Sequence, residues 1–206
     1  MKISLVEYDA GNLPSVERAL ARQGVETERA ATPESIAAAR VLILPGVGHF
    51  GQLMRTLASR GLLAPIRQAI CGGVPLLGIC LGLQALFASS AEAPEDRGLD
   101  ILPGTVTALP VTAKLPHMGW NRVRQIRPSA LFDGISANAN FYFAHSYAAL
   151  DAGESTVAMC EHGVPFVAAL ERENLFAVQF HPEKSGDAGA RVLANFVGYA
   201  SAGNRG

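Results

Sequence analysis

The chain has 206 residues, 49% of them apolar and only 17% charged, against about 25% charged in ordinary globular chains, which excludes a disordered or fibrous protein. Seventeen Lys plus Arg stand against eighteen Asp plus Glu, a net charge of −1, so no bulk field selects nucleic acid or an anionic membrane. The length fits one domain over 1–206.

Ile3 to Glu7 is a short apolar run, and after the turn at Gly11-Asn12 the residues Leu13, Val16, Ala19 and Leu20 share one side of a helix that stops at Gly24. Val25 to Arg29 reads as the next strand, and Thr32-Pro33-Glu34 as an N-cap with Pro at the first helical position. Val41 to Leu44 is a buried strand closed by Pro45-Gly46. Gln52 to Arg60 and Ala64 to Cys71 read as helices, and Val74 to Ile79 as a further buried strand. Such alternation predicts an α/β fold with an open, mostly parallel sheet and helices on both faces. From Gln68 to Ala91 no residue is charged, a stretch long enough to span a bilayer. Its internal Gly and Pro residues disfavour a continuous helix, so it reads as a broken, buried segment.

Later in the chain come β-like runs near Gly104 to Leu109, Asn121 to Ile126, Phe141 to Tyr147, Ser155 to Cys160, Pro165 to Leu170 and Leu175 to Phe180, with a hairpin turn at Glu161-His162-Gly163-Val164. They predict a mixed or antiparallel portion. Val192, Leu193, Phe196 and Val197 give the apolar face of a closing helix, with a frayed tail from Ser201 to Gly206. The odd set Cys71, Cys80 and Cys160, and an opening that reaches Glu7 too early for a signal peptide, point to a reducing, cytoplasmic setting.

The sharpest local pattern is Gly78-Ile79-Cys80-Leu81-Gly82, an apolar strand meeting a helix at a cysteine with glycine two residues away on each side. A nucleophile on such an elbow projects above the sheet, and the helix N-terminus beneath it favours a thiolate and an oxyanion. The alternative is a packing turn with a structural cysteine. A cysteine nucleophile needs a base. Of His49, His117, His145, His162 and His181, only His181 has a carboxylate two residues on, Glu183. In an extended chain these two face the same side, and Glu183 can fix the imidazole tautomer. Pro45-Gly46-Val47-Gly48 follows a buried strand, where ligands bind in open α/β sheets; it can supply an oxyanion donor from the Val47 N–H, bind phosphate, or only turn the chain.

These three blocks, the elbow extended to Leu83-Gln84 and the histidine block to Gln179-Phe180-His181-Pro182-Glu183-Lys184-Ser185, together resemble a class I (triad) glutamine amidotransferase. Pro116-His117-Met118-Gly119-Trp120-Asn121 and Tyr142-Phe143-Ala144-His145-Ser146-Tyr147 narrow the resemblance to the glutaminase subunits of imidazole glycerol phosphate synthase, of histidine biosynthesis. Glu7 to Leu13 matches the opening of that family loosely.

The resemblance implies that Cys80 attacks the side-chain amide of L-glutamine, His181 protonates the leaving ammonia, Glu183 completes the triad, and a thioester on Cys80 is hydrolysed to glutamate. It implies oxyanion donors at the Leu81 and Val47 N–H groups and glutamine-binding roles for Gly48, Gln84, Ser146 and Tyr147. The Gly46-Val47-Gly48 loop is read as a regulatory element that aims the Val47 N–H inward when the partner is loaded. The implied partner is a (β/α)8-barrel cyclase that receives the ammonia and makes imidazole glycerol phosphate and aminoimidazole carboxamide ribotide. Asn12, Met118, Trp120, Tyr142 and Lys184 are the candidates for the docking face. Trp120, the only tryptophan, is read in a polar turn, as an interface anchor or a core residue. No metal or organic cofactor is implied.

Overall fold

Apolar runs punctuated by turn residues become the strands of a central sheet in the computed structural model, which describes residues 2–203 except 10, 11, 111, 113 and 138. Gly11 of the first turn, Ala10 of the opening block and residues 204–206 of the tail lie outside the described residues. Strands and helices alternate through β1 (Lys2–Val6), α1 (Leu13–Ala21), β2 (Glu26–Ala30), α2 (Pro33–Ala37), β3 (Leu42–Gly46), α3 (Phe50–Ser59), α4 (Leu63–Cys71) and β4 (Leu76–Cys80). The Thr32 signal forms a capping box: its hydroxyl accepts from Ser35 N at 3.3 Å, and Ser35 Oγ accepts from Thr32 N at 3.0 Å.

After β4 come α5 (Leu81–Gln84), β5 (Phe87–Ser90), β6 (Leu102–Ala108), β7 (His117–Arg122), β8 (Arg124–Gln125), β9 (Asn140–His145) and β10 (Tyr147–Ala148). The chain closes with β11 (Thr156–His162), β12 (Val164–Arg172), β13 (Leu175–Val178) and α6 (Gly186–Gly203). The main sheet has eight strands in the order β2-β1-β3-β4-β13-β12-β11-β8. It is parallel from β2 to β13 and antiparallel from β13 to β8, as the change of pattern along the sequence predicts. The hairpin between β11 and β12 turns at Gly163, whose φ is 76°.

Side chains alternate between two cores. Ile3, Leu5, Ile43, Leu77 and Ile79 pack with α1 and α6 through Leu13, Val16, Leu20, Val192, Leu193 and Phe196. Val6, Leu42, Leu44 and Leu76 pack on the other face with Ile36, Phe50, Leu53, Leu57 and Ile66 of α2, α3 and α4. Helices therefore cover both faces, and the carboxyl ends of β3 and β4 open together at one edge of the sheet, the place where such sheets bind ligands.

The helix after Cys80 is a single turn, because Leu86 is buried and the chain enters β5 at Phe87 instead of extending α5. The uncharged stretch is broken as expected, divided among α4, β4, α5 and β5, and no helix among the described residues is long and apolar enough to cross a membrane. One expectation changes. Trp120 lies within β7, opposite Tyr142 of β9, and not in a turn. Alternation explains this: His117, Gly119 and Asn121 turn inward while Met118, Trp120 and Arg122 turn outward, a two-residue period spread over mostly polar residues. At 59% exposure Trp120 is not a core residue.

Candidate active site

Cys80 joins β4 to α5 with φ 54° and ψ −107°, a conformation that L residues seldom adopt and that persists where the surroundings over-determine it. The flanking glycines provide space. A Cβ on Gly82 would stand 1.9 Å from the Leu44 carbonyl oxygen, and one on Gly78 would stand 2.8 Å from the Gly82 oxygen. The third glycine, Gly46, meets the same elbow, its hypothetical Cβ 2.6 Å from Gly82 N. β3 and the nucleophile turn are thus packed backbone on backbone.

His181 is held against β9 by its own backbone. Its N–H donates to Tyr142 O at 2.8 Å, and its carbonyl accepts from Ser185 Oγ at 2.6 Å. Pro182–Lys184 forms a 3-10 turn, so the turn, more than an extended strand, brings Glu183 back to the imidazole. His181 Nδ1 lies 2.9 Å from Glu183 Oε1 with both side chains buried. Glu183 Oε2 is buried with no hydrogen-bond partner among the described residues, which leaves the carboxylate to the imidazole. Burial alone would lower the His181 pKa, but the Cys80 sulfur, by charge and by hydrogen bond, and then Glu183 raise it to about 10. These partners favour the imidazolium, the form that can donate a proton.

A cavity of about 260 Å³ opens in front of this pair, sized for a small metabolite. Cys80, His181, Val47, Leu81, Gly48, Gln84, Ser146 and Tyr147 all line it, and Glu183 stands behind His181. Gln84 has both of its N–H bonds committed, to Tyr147 O at 2.8 Å and to Gln179 Oε1 at 3.1 Å. Its Oε1 is what remains for a ligand, and it suits an ammonium donor better than a carboxylate. Tyr8 stands behind the Gly46-Val47-Gly48 loop. Its hydroxyl donates to Pro45 O at 3.0 Å; burial pushes the phenol up, and the nearby Val47 backbone pulls it the other way.

Four docking candidates are gathered beside the cavity. Met118 is 64% exposed, the Trp120 and Tyr142 rings meet edge to face at 6.3 Å, and Lys184 Nζ stands 5.8 Å over the Tyr142 ring. Lys184 also lines the cavity, joining the two features. Asn12 precedes α1, which packs beside the 182–184 turn. Glu7 and Asp9 of the opening block form ion pairs with Arg29 and Arg60. Sequence reasoning missed Gln179, His145, Tyr8 and Glu92 as neighbours of the site. His145 and Glu92 line the cavity, and Glu92 Oε2 accepts from Phe50 N at the start of α3 at 2.7 Å. Gln179 lay inside a quoted block, so its nearness to the site was legible although its contact was not. No group of three or more His, Cys, Asp or Glu among the described residues is placed to hold a metal ion.

The family model described as glutamine amidotransferase class-I matches residues 5–199. The chain is 51% identical to an imidazole glycerol phosphate synthase subunit HisH of Moorella thermoacetica, over 94% of this chain and 93% of the relative. It is 44% identical to the protein of that name from Methanothermobacter thermautotrophicus, over 95% and 97%. Among solved structures, a glutamine amidotransferase superposes with a TM-score of 0.77 at 20% identity, covering 96% of this chain and 98% of the other. PurLQS from Thermotoga maritima gives 0.76 at 18%, covering 96% and 98%. Those two likenesses are of fold. With the elbow cysteine, its histidine and carboxylate, and relatives that match along almost their whole length, the chain belongs to the class-I glutamine amidotransferases, among the imidazole glycerol phosphate synthase HisH subunits.

Proposed function

We propose that this chain, a single amidotransferase domain over 1–206, is the glutaminase subunit of an imidazole glycerol phosphate synthase, hydrolysing L-glutamine to L-glutamate and ammonia. The observation that carries the reading is the buried His181–Glu183 pair, 2.9 Å apart, whose imidazole lines a cavity of metabolite size together with the strained Cys80. Cys80, as thiolate, attacks the side-chain amide carbon of glutamine. The oxyanion that forms takes the Leu81 N–H, and the Val47 N–H once the loop aims it inward. His181 gives its proton to the nitrogen, and the carbon–nitrogen bond breaks to release ammonia and leave a γ-glutamyl thioester on Cys80. Neutral His181 then takes a proton from water as that water attacks the thioester, so glutamate leaves and the thiolate–imidazolium pair is restored. Gly48, Ser146 and Tyr147 hold the α-carboxylate end of glutamine, and Gln84 Oε1 accepts from its α-amino group.

The ammonia passes to a (β/α)8-barrel cyclase that combines it with a phosphoribulosyl intermediate, giving imidazole glycerol phosphate and aminoimidazole carboxamide ribotide. Exposed Met118 and Trp120, with Tyr142 and Lys184 at the edge of the cavity and Asn12 on the α1 side, form the docking face. Three free cysteines support a reducing, cytoplasmic setting. The test is glutamate release from glutamine, by the chain alone and with the liganded cyclase, for the unsubstituted chain and Cys80→Ala. A large rise with partner that is absent in Cys80→Ala supports the reading; release that ignores the partner moves the glutaminase to another pathway.

A further inference from the structure

The reaction assigned to Cys80 needs a sulfur anion, and the sulfur has a neighbour outside the triad. Gln179, fully buried just after β13, holds Nε2 3.6 Å from Cys80 Sγ. The two ends of an amide have nearly the same shape, so only the surroundings decide which end faces the sulfur. Here a backbone atom decides. Tyr147 O is a carbonyl and only accepts; Gln84 Nε2 donates to it at 2.8 Å, and His145 Nδ1 donates to it at 2.9 Å. The second N–H of Gln84 Nε2 points to Gln179 Oε1 at 3.1 Å. With that oxygen occupied as an acceptor, the nitrogen of Gln179 is the end that meets the sulfur. Reversing Gln179 alone would set two NH₂ groups against each other. Reversing both glutamines would set an amide oxygen against the Tyr147 carbonyl.

We propose that Gln179 is a thiolate-stabilising residue of the glutaminase reaction, its side-chain N–H donating to the Cys80 sulfur in a polarity imposed by the Tyr147 carbonyl through Gln84. The proposal rests on the reading of Cys80 as the nucleophile. α5 is only four residues long, so it has few aligned peptide dipoles to offer the anion. His181 is charged for only part of the cycle, since it surrenders its proton to the departing ammonia. The Gln179 donor does not titrate, and it steadies the sulfur both before attack and when the thioester is cleaved.

The test is the rate of iodoacetamide alkylation at Cys80 in the full chain, followed by peptide mass and measured from pH 5 to 10 in the unsubstituted chain, Gln179→Met and Gln179→Glu. Gln179→Met removes the donor. Gln179→Glu keeps an acceptor for Gln84 and sets a carboxylate against the sulfur. Hydrogen bonds to charged groups are strong enough that the rate at pH 7 should fall about tenfold or more in both variants. The pH profile should move to higher pH, further for Gln179→Glu. Folded variants with the original rate and profile overturn the proposal. A measurement on the unsubstituted chain decides the question if neither variant folds: the Gln179 side-chain amide resonance should shift over the pH range in which Cys80 becomes reactive, and a resonance that stays still overturns the proposal. Failure of the nucleophile reading is seen separately, as glutamate release that survives Cys80→Ala.

Discussion

His117 Nδ1 lies 3.1 Å from His145 Nε2, joining two residues that face each other across β7 and β9. The direction of the bond follows from its ends. His145 Nδ1 must donate, because its partner is the Tyr147 carbonyl; its Nε2 therefore accepts from His117 Nδ1, and His117 Nε2 accepts from Asn121 Nδ2 at 3.2 Å. Both rings are neutral in this chain of donors. Burial is the main cause that lowers their pKa values, to about 4 for His117 and about 3 for His145.

Acid should therefore unfold the protein earlier than its carboxylates alone dictate. Both folded pKa values lie below the unfolded value of about 6.5, so the unfolded chain binds more protons as pH falls below 6.5. Stability is fully present above that pH and declines by up to about 1.4 kcal/mol per pH unit for each ring until the folded pKa values are reached. Urea midpoints at pH 7 and pH 5 measure the decline, and imidazole NMR should show neither ring titrating above pH 5.

Glu183→Gln should reduce stimulated glutamate release by about 100-fold or more, the usual scale of a misdirected acid–base group. Glu183 is one of the causes that raise His181 to about 10, so the alkaline limb of the rate profile should also move to lower pH. A raised histidine contributes stability that is full below about 6.5 and is lost as pH rises toward 10. Alkaline denaturation of the variant should accordingly be less steep in that window.

Val47→Pro removes the N–H proposed as the second oxyanion donor and should lower stimulated kcat about 100- to 1000-fold with little change in KM. Stimulated kcat at the original level refutes that role. Tyr8→Phe acts in the opposite direction. It deletes the hydroxyl that braces the loop through Pro45 O, and glutamate release by the chain without partner should rise severalfold.

Trp120→Ala should weaken association with the cyclase about 10-fold or more, as removal of an exposed aromatic anchor does. Its far-UV spectrum and melting temperature should stay unchanged, because the ring is 59% exposed.

Gly82→Ala should lower stability by about 3 kcal/mol, a fall of roughly 6–12 °C in Tm for a chain of this size. The new Cβ meets the Leu44 carbonyl, which is backbone and has nowhere to go.

Periodicity and caps made the parallel half of the fold legible, since β3 and β4 are buried on both faces and read as continuous apolar runs. The triad and cavity wall were legible because Cys80, His181 and Val47 lie in short local patterns at strand ends. β7 was harder. Its inward residues His117 and Asn121 are polar and held by hydrogen bonds, and Gly119 between them takes a φ of 131°, so composition concealed the strand. The Gln179 contact and the bond from the Tyr8 hydroxyl to Pro45 O were not legible at all. Each joins residues far apart in sequence through one polar atom, and no spacing rule encodes such a meeting.

The ribbon of β7 and β9 has two occupied sides. Inward stand His117, Asn121, Phe141, Phe143 and His145; outward stand Met118, Trp120 and Tyr142. Because strand side chains alternate, an insertion or deletion of one residue in the middle of β7 would exchange the two sides beyond that point, turning Trp120 inward and Asn121 outward. This ribbon therefore does not tolerate a change of length, and among related chains its residue count should be held fixed even where its residues differ.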